Sequence, residues 1–292
     1  MATVSGVITA MVTPFEESGA VDLAAGRRVA RYLIEHGSHG VVVNGTTGES
    51  PTTDDAEKLE LLAAVKDEIG SEATIIAGSG SNDTAHSVEL TEAVTRAGAD
   101  AVLVVAPYYN KPNPAGLSAH FKAVAGATDL PLIMYNIPSR SVVNIEPELM
   151  AELAAEVTNI VAVKQANPEQ IESIDGLDLL AGNDDNFLDC LEAGGTGGIL
   201  VASHVVGPQM REVYDTFAAG DLERARAVDK TLRPTYDVMG VTTNPIPVKT
   251  ALDMLGVVSA RMRLPLVDAD EQQREAIRSV LERNGNLATS DL

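Results

Sequence analysis

The chain has 292 residues, 45% of them hydrophobic, with no Trp, four Phe, one Cys and a formal net charge of −21. That length suits one large α/β domain or two smaller ones, with Val, Ile, Leu and Ala left to fill the core. The acidic balance argues against a nucleic-acid binder, which needs a basic patch, and against an anionic membrane surface, which would repel it.

The first stretch, MATVSGVITAMVT, lacks a basic leader and carries Thr, Ser and Gly, so it is not read as a signal peptide. Short apolar runs follow at 7–11, 41–43, 74–77, 101–105, 132–135, 160–163, 179–181 and 198–201. Most are continuously apolar rather than alternating, as in parallel strands covered on both faces. Between them, 54–69, 84–97 and 146–157 carry apolar residues at helical spacing, and the first opens on Asp54 and Asp55, which suit a helix N-terminus. Phe187, Leu188 and Leu191 suggest a helix with Cys190 as a small core residue. A single cysteine allows no disulfide within the chain and no multi-cysteine metal site. The GGTGG run at 194–198 resembles a phosphate cradle but precedes the eighth strand, and is read as a tight helix-to-strand connection. A helix at 207–219 completes the pattern, and three more are expected near 221–239, 247–255 and 269–283.

Eight strands alternating with helices predict an α/β fold, a (β/α)8 TIM barrel over 1–220 with a C-terminal three-helix extension over 221–292. A doubly wound sheet would need a clearer Gly-rich nucleotide turn. No apolar run approaches the roughly 18 residues of a membrane span. The expected compartment is the cytoplasm.

Barrel enzymes keep their chemistry at the C-terminal ends of the strands. NGTTGES follows the second run, APYYNKP the fourth, YNIPSRS the fifth, Lys164 the sixth and AGNDD the seventh. GTTGES is either a functional loop or only a Gly-rich turn before a capped helix; it is not a P-loop, lacking the Lys and the spacing. Tyr108 and Tyr109 also suit an interface, and Arg140 a solvated loop. Lys164 ends a hydrophobic strand, where a lysine is either snorkelling or reactive; the barrel position favours the reactive reading.

These residues share one chemistry. Burial depresses a lysine's pKa and leaves part of it as neutral amine. Such an amine forms a Schiff base with a ketone, and an enamine nucleophile follows. Protons must be moved, and a tyrosine hydroxyl can move them. Tyr135 ends the strand next to that of Lys164, and Thr47 and Tyr109 follow the second and fourth, so a relay Tyr135–Thr47–Tyr109 is expected. Backbone N–H groups around Thr46 and Thr47, at a turn into a helix, suit one carboxylate. The forked guanidinium of Arg140 suits another.

Together GTTGES, APYYNKP, YNIPSRS, VAVK and NPIPVKTALDMLG resemble the class I, pyruvate-dependent aldolase barrels, and within them the dihydrodipicolinate synthase family, over essentially the whole chain. The resemblance implies that Lys164 forms the Schiff base with pyruvate and Tyr135 is the central acid/base. Thr47 and Tyr109 would complete the relay, Tyr109 from across a subunit interface. Thr46 and Thr47 would hold the pyruvate carboxylate, Arg140 the carboxylate of aspartate semialdehyde, and Gly182 and Ile199 would offer backbone carbonyls. It further implies a homotetramer of two tight dimers, no metal or organic cofactor, and a place in lysine and diaminopimelate biosynthesis.

Sialate lyases resemble this pattern but tend to carry Ser-Thr at Thr46-Thr47 and Ala-Leu at Ser139-Arg140. Keto-deoxy-sugar aldolases also lack the Ser-Arg pair, so Arg140 is the main discriminator. The alternatives are an aldolase cleaving a 2-keto-3-deoxy acid or an N-acetylneuraminate-like substrate, and a non-catalytic keto-acid binder. The five histidines form no H-x-H or HExxH pattern, against a zinc-dependent aldolase. His36 and His39 are expected in solvent. The chain departs from the family at Gln165, where an acid is frequent, at Leu200, where a serine is common, and at His204, where an asparagine is. Lys58 and His86 stand where lysine-sensitive members carry a His and a Glu, which predicts weak or absent inhibition by lysine.

Overall fold

The computed structural model describes residues 4–70 and 72–287. The outermost parts of the predicted spans, 1–3 and 288–292, lie outside the described residues. Eight strands are present: β1 (Gly6–Ala10), β2 (Gly40–Val43), β3 (Thr74–Gly78), β4 (Ala101–Val105), β5 (Leu132–Asn136), β6 (Ile160–Gln165), β7 (Asp178–Ala181) and β8 (Gly197–Leu200). Each pairs in parallel with its neighbour in sequence, and β1 pairs β8 to close the barrel. Around it run α1 (Leu23–Glu35), α2 (Asp55–Ile69), α3 (Thr84–Arg96), α4 (Pro114–Ala125), the short α5 (Pro138–Ser141), α6 (Pro147–Glu156), α7 (Phe187–Glu192) and α8 (Ser203–Ala218). The expected (β/α)8 barrel is the observed fold.

Alternate strand residues serve two cores. Val41, Val43, Ile75, Ala77, Val102 and Val104 face the helices, whereas Ile8, Val42, Ile76, Leu103 and Ile133 fill the barrel. Both faces are dry, which is why the strands read as unbroken apolar runs.

Strand β6 breaks the alternation. Ile160 pairs with Leu132, but the next paired residue is Ala162, opposite Ile133. Val161 is the extra residue of a bulge, and both Val161 and Ala162 join the interior cluster while Ile160 and Val163 face outward. Side chains alternate with a period of two, so one added residue reverses every later one. The bulge therefore turns Lys164 inward, beside its register partner Tyr135.

Helix ends follow local chemistry. Asp54 accepts from the Glu57 N–H and Glu57 reaches back to Asp54, a capping box that starts α2 one residue after the predicted 54. Helix α8 is kinked at Val206, and Pro208 sits in the first turn of the main run, so the predicted start at 207 marks the kink. The GGTGG run is the expected tight connection. Gly194 takes φ +93°, and a Cβ on Gly197 would stand 2.3 Å from the Gly6 carbonyl oxygen. Cys190 is buried in the core, where burial pushes its thiol up to about 12. His36 and His39 are half-buried rather than solvated. His36 stacks on Tyr32, and His39 Nδ1 accepts from the Val7 N–H at 3.0 Å.

Beyond the barrel lie α9 (Leu222–Met239), α10 (Ile246–Met254) and α11 (Glu271–Arg283). Helix α9 packs along α8, and α11 packs on α9 and α10. A buried ion pair ties this part to the barrel mouth. Lys249 of α10, fully buried, donates to Glu49 Oε1 at 2.6 Å and to the Arg261 carbonyl at 2.6 Å. The Arg263 N–H donates to Glu49 Oε2 at 3.1 Å. Lys249 Nζ also sits 4.4 Å from the centroid of the Phe15 ring. Burial pulls the Lys249 ammonium down from its usual pKa, against the attraction of Glu49. Breaking such a pair strands a buried charge. Lys249→Met is expected to destabilise the fold by about 3–5 kcal/mol, whereas Lys249→Met with Glu49→Met recovers most of that loss; urea unfolding of both variants checks it.

Candidate active site

The loops at the C-terminal ends of the strands surround a cavity of about 450 Å³. Thr46, Thr47, Tyr135, Arg140, Lys164 and Gly182 all line it, so six of the eight predicted site residues meet there. At its floor Lys164 is 5% exposed, with Nζ 4.2 Å from the centroid of the Tyr135 ring. Among the described residues no carboxylate or hydrogen-bond acceptor pairs with that nitrogen. A buried lysine is normally paired, as Lys249 is, so the bare Lys164 stands out as the reactive amine.

The turn after β2 presents Thr46 and Thr47. It is tightened by Gly48 N–H to Gly45 O at 3.1 Å and Glu49 N–H to Thr46 O at 3.1 Å, with Asn44 and Glu49 both at positive φ. Those bonds leave the N–H groups of Thr46 and Thr47 without a partner among the described residues. Two free N–H groups on a turn that lines a cavity suit an anion. Thr47 is buried, and its Oγ1 accepts from Asn244 Nδ2 at 3.0 Å. Arg140, exposed on α5, donates from Nη2 to the Asn244 carbonyl at 3.2 Å.

Gly182 follows β7, where a Cβ would stand 2.8 Å from Ala166 N. Ile199 is fully buried in the barrel-filling cluster, and Val201, two residues on, lines the cavity. Tyr109 lies apart from the cavity of its own chain. It is 86% exposed at φ +74°. The expected relay Tyr135–Thr47–Tyr109 is therefore not assembled within one chain.

The periodic pattern did not flag several cavity residues. Tyr236, Asp237, Met239, Gly240 and Asn244 come from the C-terminal part, so that part walls the site. The Tyr236 hydroxyl donates to Asp229, which Arg233 pairs at 2.7 Å, and Arg233 also donates to the Asp185 carbonyl. Asp184 lies in the AGNDD stretch, whose polar run was the available signal. Its Oδ1 accepts from the N–H groups of Val201 at 2.8 Å and Ala202 at 3.0 Å, leaving Oδ2 without a hydrogen bond among the described residues. Burial raises its pKa to about 6, against those two N–H groups and Lys164.

The three departures have structural roles. Gln165 is buried, and its Oε1 accepts from Asn136 Nδ2 at 3.0 Å and the Asn167 N–H at 3.0 Å. His204 is buried and neutral, its pKa lowered to about 4 by burial. Its Nε2 accepts from the Val12 N–H and its Nδ1 donates to the Val201 carbonyl. Leu200 fills the outer core.

A wider chamber of about 640 Å³ adjoins the first and shares Thr46, Tyr135, Ile137 and Arg140 with it. Asp55 there bonds His86 Nε2 at 2.8 Å and Lys58 Nζ at 3.2 Å. Burial raises the Asp55 carboxyl, but the bonds from His86 and Lys58 outweigh it and hold the pKa below its usual value. Among the described residues, no group of three or more His, Cys, Asp or Glu converges to hold a metal ion.

The sequence model of the Dihydrodipicolinate synthetase family matches residues 3–284. A 4-hydroxy-tetrahydrodipicolinate synthase from Symbiobacterium thermophilum is 47% identical over 293 residues, covering 98% of this chain and 100% of the relative. The crystal structure of dihydrodipicolinate synthase from Thermotoga maritima superposes with a TM-score of 0.94 at 40% identity, over 97% of this chain and 99% of that one. The synthase from Cyanidioschyzon merolae, solved with lysine bound, gives 0.93 at 38% identity, again over 97% and 99%. With a likeness that runs the length of barrel and extension alike, the chain belongs to the dihydrodipicolinate synthetase family.

Proposed function

We infer that this chain is a Schiff-base lyase, a 4-hydroxy-tetrahydrodipicolinate synthase, condensing pyruvate with L-aspartate 4-semialdehyde in lysine and diaminopimelate biosynthesis. The observation that carries the reading is the buried, unpaired Lys164 against Tyr135 at the barrel mouth. The amine of Lys164 adds to the ketone carbon of pyruvate, and loss of water gives an imine. Protonated, the imine draws electrons, a methyl proton leaves, and the enamine carbon attacks the aldehyde, whose oxygen takes up a proton. The semialdehyde's ammonium then gives up a proton, its amine attacks the imine carbon, and a second proton passes from it to the Lys164 nitrogen, which leaves as the free amine while the ring closes as a cyclic imine.

The Tyr135 hydroxyl carries the protons, with Thr47 beside it. The free N–H groups of Thr46 and Thr47 hold the pyruvate carboxylate. Arg140 takes the semialdehyde carboxylate, and Asp184 Oδ2 takes its ammonium. Gly182 and Ile199 offer their backbones to the substrates. Tyr109, exposed on its own chain, completes the relay in a second copy, within a homotetramer built as a dimer of dimers. No helix among the described residues is long and apolar enough to cross a membrane, and the reading places the enzyme in the cytoplasm.

Borohydride reduction in the presence of pyruvate is expected to fix a stable adduct on Lys164, read by peptide mass spectrometry; its absence from folded protein sinks the assignment. Tyr135→Phe is expected to lower kcat by about 10²–10⁴-fold, measured by steady-state kinetics.

Asp184 gives a pH signature. Its carboxyl is neutral below about pH 6 and cannot then balance an ammonium. The kcat/KM for the semialdehyde is expected to fall as pH drops through about 6. Asp184→Asn, which keeps the Oδ1 acceptor, should raise that KM about 10-fold, spare the KM for pyruvate and abolish the acid limb.

In the wider chamber Lys58 and His86 already take up the charge of Asp55, leaving a poor host for the ammonium of free lysine. L-lysine at sub-millimolar concentration is expected to leave the rate unchanged, and strong inhibition in the same assay would contradict this.

A further inference from the structure

Among the described residues, the loop after β7 is tied down from three sides. Toward β6, the Gly182 N–H donates to the Gln165 carbonyl at 2.8 Å, and Asn183 Nδ2 to the Ala166 carbonyl at 3.3 Å. Toward β8, Asp184 Oδ1 accepts from the Val201 and Ala202 N–H groups. The third tie comes from α9, where Arg233, 48 residues further along the chain, donates from Nη1 to the Asp185 carbonyl at 2.7 Å. The other prong of that guanidinium, Nη2, meets Asp229 Oδ2 at 2.7 Å. Asp229 is 3% exposed, and its Oδ1 accepts from the Tyr236 hydroxyl at 3.3 Å. Both oxygens of the buried carboxylate are thus committed on α9, and Arg233 stands on a fixed base.

We propose that Arg233 is a positioning residue for the second substrate, which holds the β7 loop so that Asp184 Oδ2 meets the substrate ammonium. The inference rests on the reading of the site as a Schiff-base lyase in which Asp184 takes that ammonium. Asp184 and Asp185 line the Lys164 cavity, and Arg233 acts on it through the Asp185 backbone. With Oδ1 pinned to the β8 loop, the direction of Oδ2 follows from where the Asp184 backbone lies. Arg233 fixes the carbonyl of the next residue, so the carboxylate is held from both ends. A guanidinium can grip the Asp229 carboxylate and the Asp185 carbonyl at once because its donors form a rigid fork, whereas a lysine ammonium is a point charge on a flexible stem. The contact bears on the ammonium end of the second substrate. It leaves Lys164, Tyr135 and the Thr46–Thr47 turn untouched.

Arg233→Lys keeps the ion pair with Asp229 and gives up the second prong. It is expected to raise the KM for the semialdehyde about fivefold, the worth of one hydrogen bond. The kcat and the KM for pyruvate should stay within about twofold of wild type. The control is 4-oxobutanoate, the same aldehyde without its amine. Its inhibition constant should also stay within about twofold, because it brings no ammonium to misplace. A side chain that only stabilised the fold would move both ligands alike, or neither. If Arg233 acts through Asp184, Arg233→Lys adds less than about twofold to the KM in an Asp184→Asn background. Should Arg233→Lys fold poorly, Asp229→Asn reads the same point by weakening the base under Arg233, with a rise of about threefold. Pyruvate trapping on Lys164 is run alongside on the wild-type protein and every variant. A semialdehyde KM within about twofold of wild type in the folded variant, an equal loss for 4-oxobutanoate, or independent losses in the cycle overturns the inference alone. An unchanged KM in Asp184→Asn overturns the ammonium assignment and the inference together, with the adduct still standing. No adduct in the wild-type protein overturns the lyase reading and both with it.

Discussion

A buried lysine at the barrel mouth that makes no ion pair or hydrogen bond among the described residues, though it shares its cavity with Asp184, is the constraint around which this molecule is organised. A buried lysine is ordinarily paired. The closed barrel positions Lys164. The strand pairing fixes its backbone, Tyr135 faces it across the β5–β6 ladder, and a turn beside it leaves two N–H groups open for an anion. A rigid parallel sheet holds such an arrangement because a shift of any one strand would break ladders on both sides.

The contrast with Lys249 shows what pairing does. That lysine is buried more completely, but it meets Glu49, the Arg261 carbonyl and the face of Phe15. Its nitrogen is held by an ion pair and a second hydrogen bond. Both lysines meet the loop after β2: Lys249 at Glu49, and Lys164 in the cavity that Thr46 and Thr47 line. Glu49 closes the turn that carries Thr46 and Thr47, so the buried pair fixes the turn and the turn presents its free N–H groups to the Lys164 cavity. Structure and chemistry are thus divided between two buried amines.

The helices beyond the barrel belong to the same device. Lys249 and Arg263 fix the β2 loop, Tyr236 lies under the β7 loop through Asp229 and Arg233, and Asn244 touches both Thr47 and Arg140. A barrel alone would offer a shallow, wet mouth. With the extension as its far wall, the mouth becomes a walled cleft lined by Tyr236, Asp237, Met239, Gly240 and Asn244 on that side.

Apolar runs gave the number and order of strands, because strands dry on both faces leave unbroken hydrophobic stretches. Polar residues at strand tips gave Lys164, Tyr135, Thr47, Thr46, Arg140 and Gly182, because a barrel brings all its strand ends to one mouth. Ends of helices were legible to within a residue or two where Asp or Asn caps them. Asn244 and Asp184 stood inside the motifs NPIPVKTALDMLG and AGNDD, but their place on the wall was not legible, since the Thr47 partner of Asn244 stands 197 residues away and leaves no local period; Tyr236 was hidden in a helical pattern. Tyr109 was legible as important, but its own chain holds it in solvent, away from Thr47 and Tyr135. The inward turn of Lys164 shows the division most clearly. The sequence by itself determined that a lysine stands near the end of the sixth strand. Only the tertiary structure decided which way it points, because the Val161 bulge resets a side-chain alternation of two that an all-apolar run does not display.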